Sequence, residues 1–156
     1  MDKQLVQKAK EIIEKIIYIT LATTDADGNP WSTPVFAAFD QYYNFYWRSG
    51  IDAIHSQNII ANRKVFISIY DSTSPWGTGE GIFMQAKSEH LLNKNEINQS
   101  LLLLEKRAGK SFGSANEFMD NYPRRVYKAI PEKIWINADG EINGKFVDKR
   151  IEIKLH

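Results

Sequence analysis

The chain has 156 residues, 43% hydrophobic and 25% charged, which suits one soluble globular domain with a single sizeable core. Its net charge of +1 provides no field of one sign to gather nucleic acid or an anionic membrane, so neither is an expected partner. Cysteine is absent, which excludes a disulfide framework, a thiolate nucleophile and zinc sites built on thiolates.

The N-terminal stretch MDKQLVQKAKEIIEKI is charged throughout, and Leu5, Ala9, Ile12, Ile13 and Ile16 recur at three- and four-residue steps. That period predicts a helix over residues 2–17 with Asp2 as its N-cap. No signal-peptide core precedes it, and no later stretch approaches the ~20 apolar residues of a membrane span. Cytoplasmic residence is the default expectation.

From Tyr18 the period changes to two: YITLATTD places Ile19, Leu21 and Thr23 on one side and ends at Asp27–Gly28–Asn29–Pro30, a hairpin signal. The partner strand WSTPVFAAF closes at Asp40–Gln41, and YNFYWRS forms a third strand. Pro34 cannot donate to a ladder, so it belongs on a water-facing edge or where pairing gives way to another contact. A short helix over 52–61 leads into the strand KVFISIYDS, the loop STSPWGTGEG and the strand IFMQAKSEHL. The GTGEG loop lacks the Gly-Lys-Ser/Thr ending of a phosphate loop and precedes a strand, so a nucleoside-triphosphate site is not expected there. Trp76, between Pro75 and Gly77, reads equally as a pocket wall or as packing.

Residues 93–122 form a helical insertion. Asn93 and Glu96 are spaced like a capping box for a helix that Gly109 can end, and Ser114 and Glu117 repeat the box before a short helix stopped by Pro123. RVYKAIPEKIWIN, a turn at Asp139–Gly140 and KRIEIKL supply the last strands. Strands joined by turns, with one helical insertion between the third and fourth, predict a mainly antiparallel barrel or curled sheet within a single domain, 1–156.

The segment WRSGIDAIHSQN carries the strongest site signal. A strand breaks at Ser49 and Gly50 and restarts as a helix, which brings free backbone amides and the positive end of a helix dipole together. Ser49 and Ser56 add hydroxyls, and His55 or Arg48 can add charge, so the corner suits a phosphate or similar anion. Asp52 opposes this, because it could cap the same helix. His55, His90 and His156 lack metal-ligand spacing, and no Gly-x-Ser-x-Gly elbow is present, so neither a metal site nor acyl transfer is expected. Tyr42, Tyr43, Phe45, Tyr46 and Trp47 crowd one strand, first as core and second as surroundings for a planar ligand.

The run PWSTPVFAAFDQYYNFYWRSGIDAIHSQNIIANRKVFISIYDS resembles the FMN-binding split-barrel family typified by pyridoxamine 5′-phosphate oxidase, in detail over residues 15–91. The resemblance implies a Greek-key split β-barrel of about six strands with flanking helices, and a homodimer with cofactors at its interface. The family's flavin-lining strand falls on Ser32, Thr33 and Pro34. A strand-ending Thr or Ser, a phosphate-binding Lys six residues on and an Asn seven further fall on Ser49, His55 and Asn62. FMN is thus the implied cofactor, with Ser49, His55, Ser56 and Arg48 on its phosphate and Ser32, Thr33, Pro34 and Trp47 beside its ring; deazaflavin or haem is the alternative. The implied activity is an oxidoreductase acting on a small molecule, or a non-catalytic cofactor-binding protein, with no catalytic acid or base identified. The sequence departs from the family at His55, in place of lysine, and near Glu80–Gly81, where the family has Gln. It also lacks a recognisable C-terminal substrate segment, so vitamin B6 phosphate is not the expected substrate.

Overall fold

The computed structural model describes residues 3–156; Asp2, expected as the first helix's cap, lies outside them. In chain order the elements are α1 (Lys3–Lys15), β1 (Tyr18–Thr24), β2 (Pro30–Phe36), β3 (Ala38–Phe39), β4 (Phe45–Gly50), α2 (Ile54–Ala61), β5 (Lys64–Tyr70), β6 (Gly81–His90), α3 (Lys94–Ala108), a 3-10 turn (Ala115–Phe118), β7 (Arg124–Ile142) and β8 (Lys145–Ile153). The strands form one antiparallel sheet in the order β2-β1-β5-β6-β7-β4-β3, with β8 on β7. The sheet has eight strands rather than about six. It curls without closing, and β2 comes near β4 across the split.

Two apolar clusters explain the shape. Ile19, Leu21, Ile67, Ile69, Ile82, Met84 and Ile136 line the concave face, where Ala9 and Ile13 of α1 and Ile59 of α2 cover them. Tyr46 and Val126, on the other face of β4 and β7, pack with Ile97 and Leu101 of α3 and with Phe118. Strand β4 is therefore buried on both sides, which is why Phe45, Tyr46 and Trp47 are consecutive and all enclosed. The aromatic run serves two cores at once. Tyr42, by contrast, is exposed, and Tyr43 stacks on Phe39 at 5.4 Å.

Local chemistry sets the turns. Asp25 accepts from the amides of Asp27 and Asn29, and Gly28 takes φ +85°, closing the expected β1–β2 hairpin. Asn93 Oδ1 accepts from the amides of Asn95 and Glu96 to start α3, and Gly109 ends it at φ +69°. Glu117 reaches back to the Ser114 amide at 3.1 Å, but the element is a single 3-10 turn ending at Phe118, well before Pro123. The last turn also differs from expectation: β7 runs straight through Asp139–Gly140. The chain reverses at Asn143–Gly144, whose φ values of 53° and 74° are what a tight hairpin turn requires.

Strand β7 changes partners midway. Its first half lies between β4 and β6, and its second between β6 and β8. The switch falls at a bulge opposite Gln85 and Ala86, where Pro131 sits without having to donate to a ladder. Beyond Ile136, β7 pairs with β8 alone, so Asn137–Ile142 and their partners form a two-stranded arm.

Candidate functional site

The strand-to-helix corner sets a group of buried polar side chains against an otherwise apolar core. Helix α2 lies against β1 and β2, anchored by buried Ile59 and by two side-chain bonds. Asn58 Nδ2 donates to Thr23 Oγ1 at 3.0 Å, and Asn62 Nδ2 donates to Thr24 Oγ1 at 2.8 Å. These bonds fix the helix axis, so its N-terminus is aimed at the end of β4.

That N-terminus lacks a side-chain cap. The N-cap is Ala53, whose carbonyl accepts from the Gln57 amide at 3.0 Å. The amides of Ile54, His55 and Ser56 consequently have no acceptor within the helix. Asp52 does not cap it; its carboxylate packs beside Gly50, where a Cβ would lie 2.7 Å from Oδ1. Glycine is therefore needed at position 50 for the carboxylate to sit there.

His55 is 8% exposed and Ser56 fully buried. Ser49 Oγ and His55 Nε2 share a 2.7 Å hydrogen bond, and desolvation holds the imidazole's pKa below its ordinary value. Ser56 Oγ faces the Tyr127 phenol without a well-formed hydrogen bond and is left without a partner. Burying a hydroxyl unpaired costs about 1–3 kcal/mol, so an orphan beside free helix amides fits an oxyanion acceptor supplied from outside the chain. The corner owes its positive character to backbone amides. Its histidine is neutral near pH 7.

The other sequence-predicted residues divide in two groups. Ser32 and Pro34 lie on the sheet's edge strand and face outward. Pro34 pairs with Thr20, and that row continues through Ser68 and Phe83 to Trp135. Thr33, opposite buried Leu21, turns toward the concave side. Strand β2 packs near both α2 and β4, so its inward side, with Thr33, turns toward the split where the corner lies, while Ser32 and Pro34 lie on the opposite face of the same strand.

Trp47 and Arg48 do not join it. Trp47 is fully enclosed and stacked on Tyr127 with centroids 5.7 Å apart, so it cannot border a ligand ring from that position. Arg48 alternates to the other face of β4, where its guanidinium carbon lies 3.4 Å from the Phe112 ring centroid. Tyr127, which meets both Trp47 and Ser56, escaped sequence reasoning because only the β4–β7 register brings it there.

A cleft of about 480 Å³ opens on the sheet's outer face, lined by Thr24, Pro30, Asn62, Phe66 and Gln85 among others, at the far end of α2 from His55. A shallower one of about 350 Å³ lies over Phe66, Phe83, Trp135 and Arg150. Trp76 lines neither and packs on nothing, being fully exposed. Glu80 pairs with Lys8, and Asn137 clamps Gly79 and Gly81. No helix among the described residues is long and apolar enough to cross a membrane.

An open, curled antiparallel sheet with a helix-capped corner at its split defines the class as split-barrel proteins. Residues 5–138 match the profile of the pyridoxamine 5′-phosphate oxidase family, and the chain belongs to that family. Solved structures share the fold. A candidate 5-nitroimidazole antibiotic resistance protein from Bacteroides thetaiotaomicron is 17% identical with a TM-score of 0.70, over 87% of this chain and 84% of that one. HutZ, the haem storage protein of Vibrio cholerae, is 18% identical with a TM-score of 0.65, over 82% and 91%. An F420 reductase is 20% identical with a TM-score of 0.59, over 80% and 94%. At these identities the likeness is one of fold. No curated protein matches the chain.

Proposed function

We propose that this protein binds FMN at the α2 corner as a homodimer and acts as a flavin-dependent oxidoreductase on a small molecule. The observation that carries the reading is the uncapped α2 N-terminus with the orphan Ser56 hydroxyl buried beside it, in a chain of this family. The phosphate would be received by the amides of Ile54, His55 and Ser56 and by the hydroxyls of Ser49 and Ser56. Ser32 and Pro34, on the outer face of β2, would border the ring.

Bound flavin supplies two-electron redox chemistry; the protein's part is to hold the phosphate, position the ring and exclude water. Among the described residues, the titratable side chains at the corner are His55, which the phosphate would occupy, the Tyr127 phenol facing Ser56 and the Asp52 carboxylate beside Gly50.

Dimerisation has its own support. The outer face of the sheet leaves Tyr18, Phe66 and Tyr70 exposed and Phe83 and Trp135 half-buried, a continuous aromatic surface beside Ser32 and Pro34. A second copy seated there would enclose the ring.

The test is titration of the purified protein with FMN and with riboflavin, followed by flavin fluorescence and sedimentation. Tight FMN binding by a dimer, weakened selectively for FMN in Ser56→Ala and His55→Ala, supports the reading. Absence of FMN binding, or equal weakening for riboflavin, rejects it. An optical spectrum of the co-purifying ligand that matched haem or a deazaflavin would replace FMN with that group. Bound flavin that no nicotinamide nucleotide reduces would make this a carrier or sensor.

A further inference from the structure

The chain has three places where an aspartate or asparagine precedes a glycine: Asp27–Gly28, Asp139–Gly140 and Asn143–Gly144. At such a pair the glycine nitrogen, shielded by no side chain of its own, can attack the γ-carbon of the residue before it. The five-membered imide that forms opens in water to a normal or a β-linked aspartyl residue. The fold decides which pair is free to react, and it separates these three.

Asp27–Gly28 is held by hydrogen bonds. The Gly28 amide donates to the Asp25 carbonyl at 3.1 Å, while the Asp25 carboxylate accepts from the amides of Asp27 and Asn29 and from the Asn29 side chain. Asp139–Gly140 is held by pairing. Both residues lie in the β7–β8 ladder opposite Asp148 and Val147, and the Lys149 stem lies so close that a Cβ on Gly140 would come within 2.5 Å of it. In both pairs the carbon under attack also belongs to a carboxylate, whose charge resists a nucleophile.

Asn143–Gly144 has neither restraint. It forms the two-residue reversal between Ile142 and Lys145, all four residues are exposed, and nothing lies within 4 Å of where a Gly144 Cβ would sit. Among the described residues, neither the Asn143 side chain nor the Gly144 amide has a hydrogen-bond partner. The carbon under attack belongs to a neutral amide, with ammonia as its leaving group. One barrier remains: the turn holds Asn143 at φ 53°, and ring closure requires the chain to leave that conformation. The ladder behind it resists little, because Asn137–Ile142 pair with β8 alone and a two-stranded ribbon has small stability of its own.

We propose that Asn143 is a deamidation site whose product releases the tip of the β7–β8 arm. The Gly144 nitrogen bonds to Asn143 Cγ as the bond from Cγ to the side-chain nitrogen breaks, and the Gly144 amide proton departs with that nitrogen as ammonia. Water then cleaves one of the two carbonyl–nitrogen bonds of the imide. Cleavage on the main-chain side leaves a β-linked aspartyl residue, whose backbone is longer by a methylene. The two-residue turn then no longer sets the register of Ile142 against Lys145. The new carboxylate also takes the chain's net charge from +1 to 0.

The test is peptide mapping by mass spectrometry of the full chain aged in mildly alkaline buffer. Asn143 should lose its amide roughly tenfold or more faster than exposed Asn95 and Asn116, each followed by a glutamate that shields the attacking nitrogen. Urea below the unfolding transition should accelerate the loss, because the reaction runs through the opened arm. In the β-linked product the cross-strand NMR contacts between residues 138–142 and 145–149 should fade. Asn143→Asp, which adds the charge without the methylene, should keep them. Asn143→Gly, which keeps the turn and removes the reacting carbon, should keep them through ageing. The proposal is overturned if Asn143 retains its amide, if urea leaves the rate unchanged, or if the converted arm keeps its contacts. It is equally overturned if Asn143→Asp loses those contacts as fully as the aged protein does. None of these outcomes depends on whether FMN binds.

Discussion

Acidification should loosen the free protein and tighten its hold on FMN, both through His55. The free imidazole is nearly enclosed, bonded to Ser49, and burial depresses its pKa from the ordinary 6.5. In the unfolded chain it titrates near that ordinary value. Between the two values the unfolded state holds more protons, so stability rises with pH. The His55 contribution is complete above about pH 6.5 and is lost as pH falls through the window beneath it.

With a phosphate at the corner the balance reverses. A protonated imidazole donates a charged hydrogen bond worth about 1.5–3 kcal/mol, or roughly 10–100-fold in affinity. FMN binding should therefore take up a proton and strengthen as pH falls through the imidazole's pKa in the complex. Riboflavin, without a phosphate, should show no such gain. The assay is parallel FMN and riboflavin titration between about pH 5 and 8, the range over which histidines titrate, with thermal unfolding of the free protein over the same span. His55→Gln should flatten both profiles. If FMN and riboflavin followed one pH profile, or if the FMN profile persisted in His55→Gln, the assignment of the phosphate to this corner would be refuted.

Further predictions follow from the fold. In the proposed dimer, Trp135→Glu on the outer aromatic face should leave monomers in sedimentation, with the far-ultraviolet circular dichroism unchanged. Ile67→Ala opens a void in a fully enclosed position and should cost about 2–5 kcal/mol in denaturant unfolding. Asn93→Ala removes an acceptor shared by two helix amides and should cost about 1 kcal/mol, a fall of roughly 2–4 °C in the unfolding midpoint. Trp47→Phe removes a buried indole N–H that has no partner, so its loss of stability should be smaller than the change in ring volume alone implies.

Local signals in the sequence were reliable where one chemistry dominates. The 2-residue period of YITLATT does bury Ile19, Leu21 and Thr23, the hairpin turns where Asp27–Gly28 signals it, and Asn93 caps α3 as expected. The corner at Ser49 and His55 was equally legible, since six residues of strand, turn and helix bring them to 2.7 Å. Elsewhere, competing signals or long-range pairing decided. Asp139–Gly140 carries an acceptable turn dipeptide, but its backbone is held extended by pairing with Asp148 and Val147, so Asn143–Gly144 takes the reversal. Asp52 has capping chemistry one residue too early, and the cap falls to Ala53. Arg48 and Trp47 could not be assigned to their faces without knowing that α3 covers one side of β4. Alternation gives two faces, but only the fold says what each meets.

The β7–β8 arm has a consequence for how the molecule breathes. Past Ile136 its ladder is flanked by no third strand, and Ile142 and Phe146 at its tip are 58% and 70% exposed. A lone ribbon of this kind is marginal in water, so it can part and re-zip while the rest of the sheet stays intact. Amide deuteration should accordingly proceed in two tiers, quickly around Asn143–Gly144 and slowly along β5 and β6. A protease given limited time should nick the tip and leave a folded body behind.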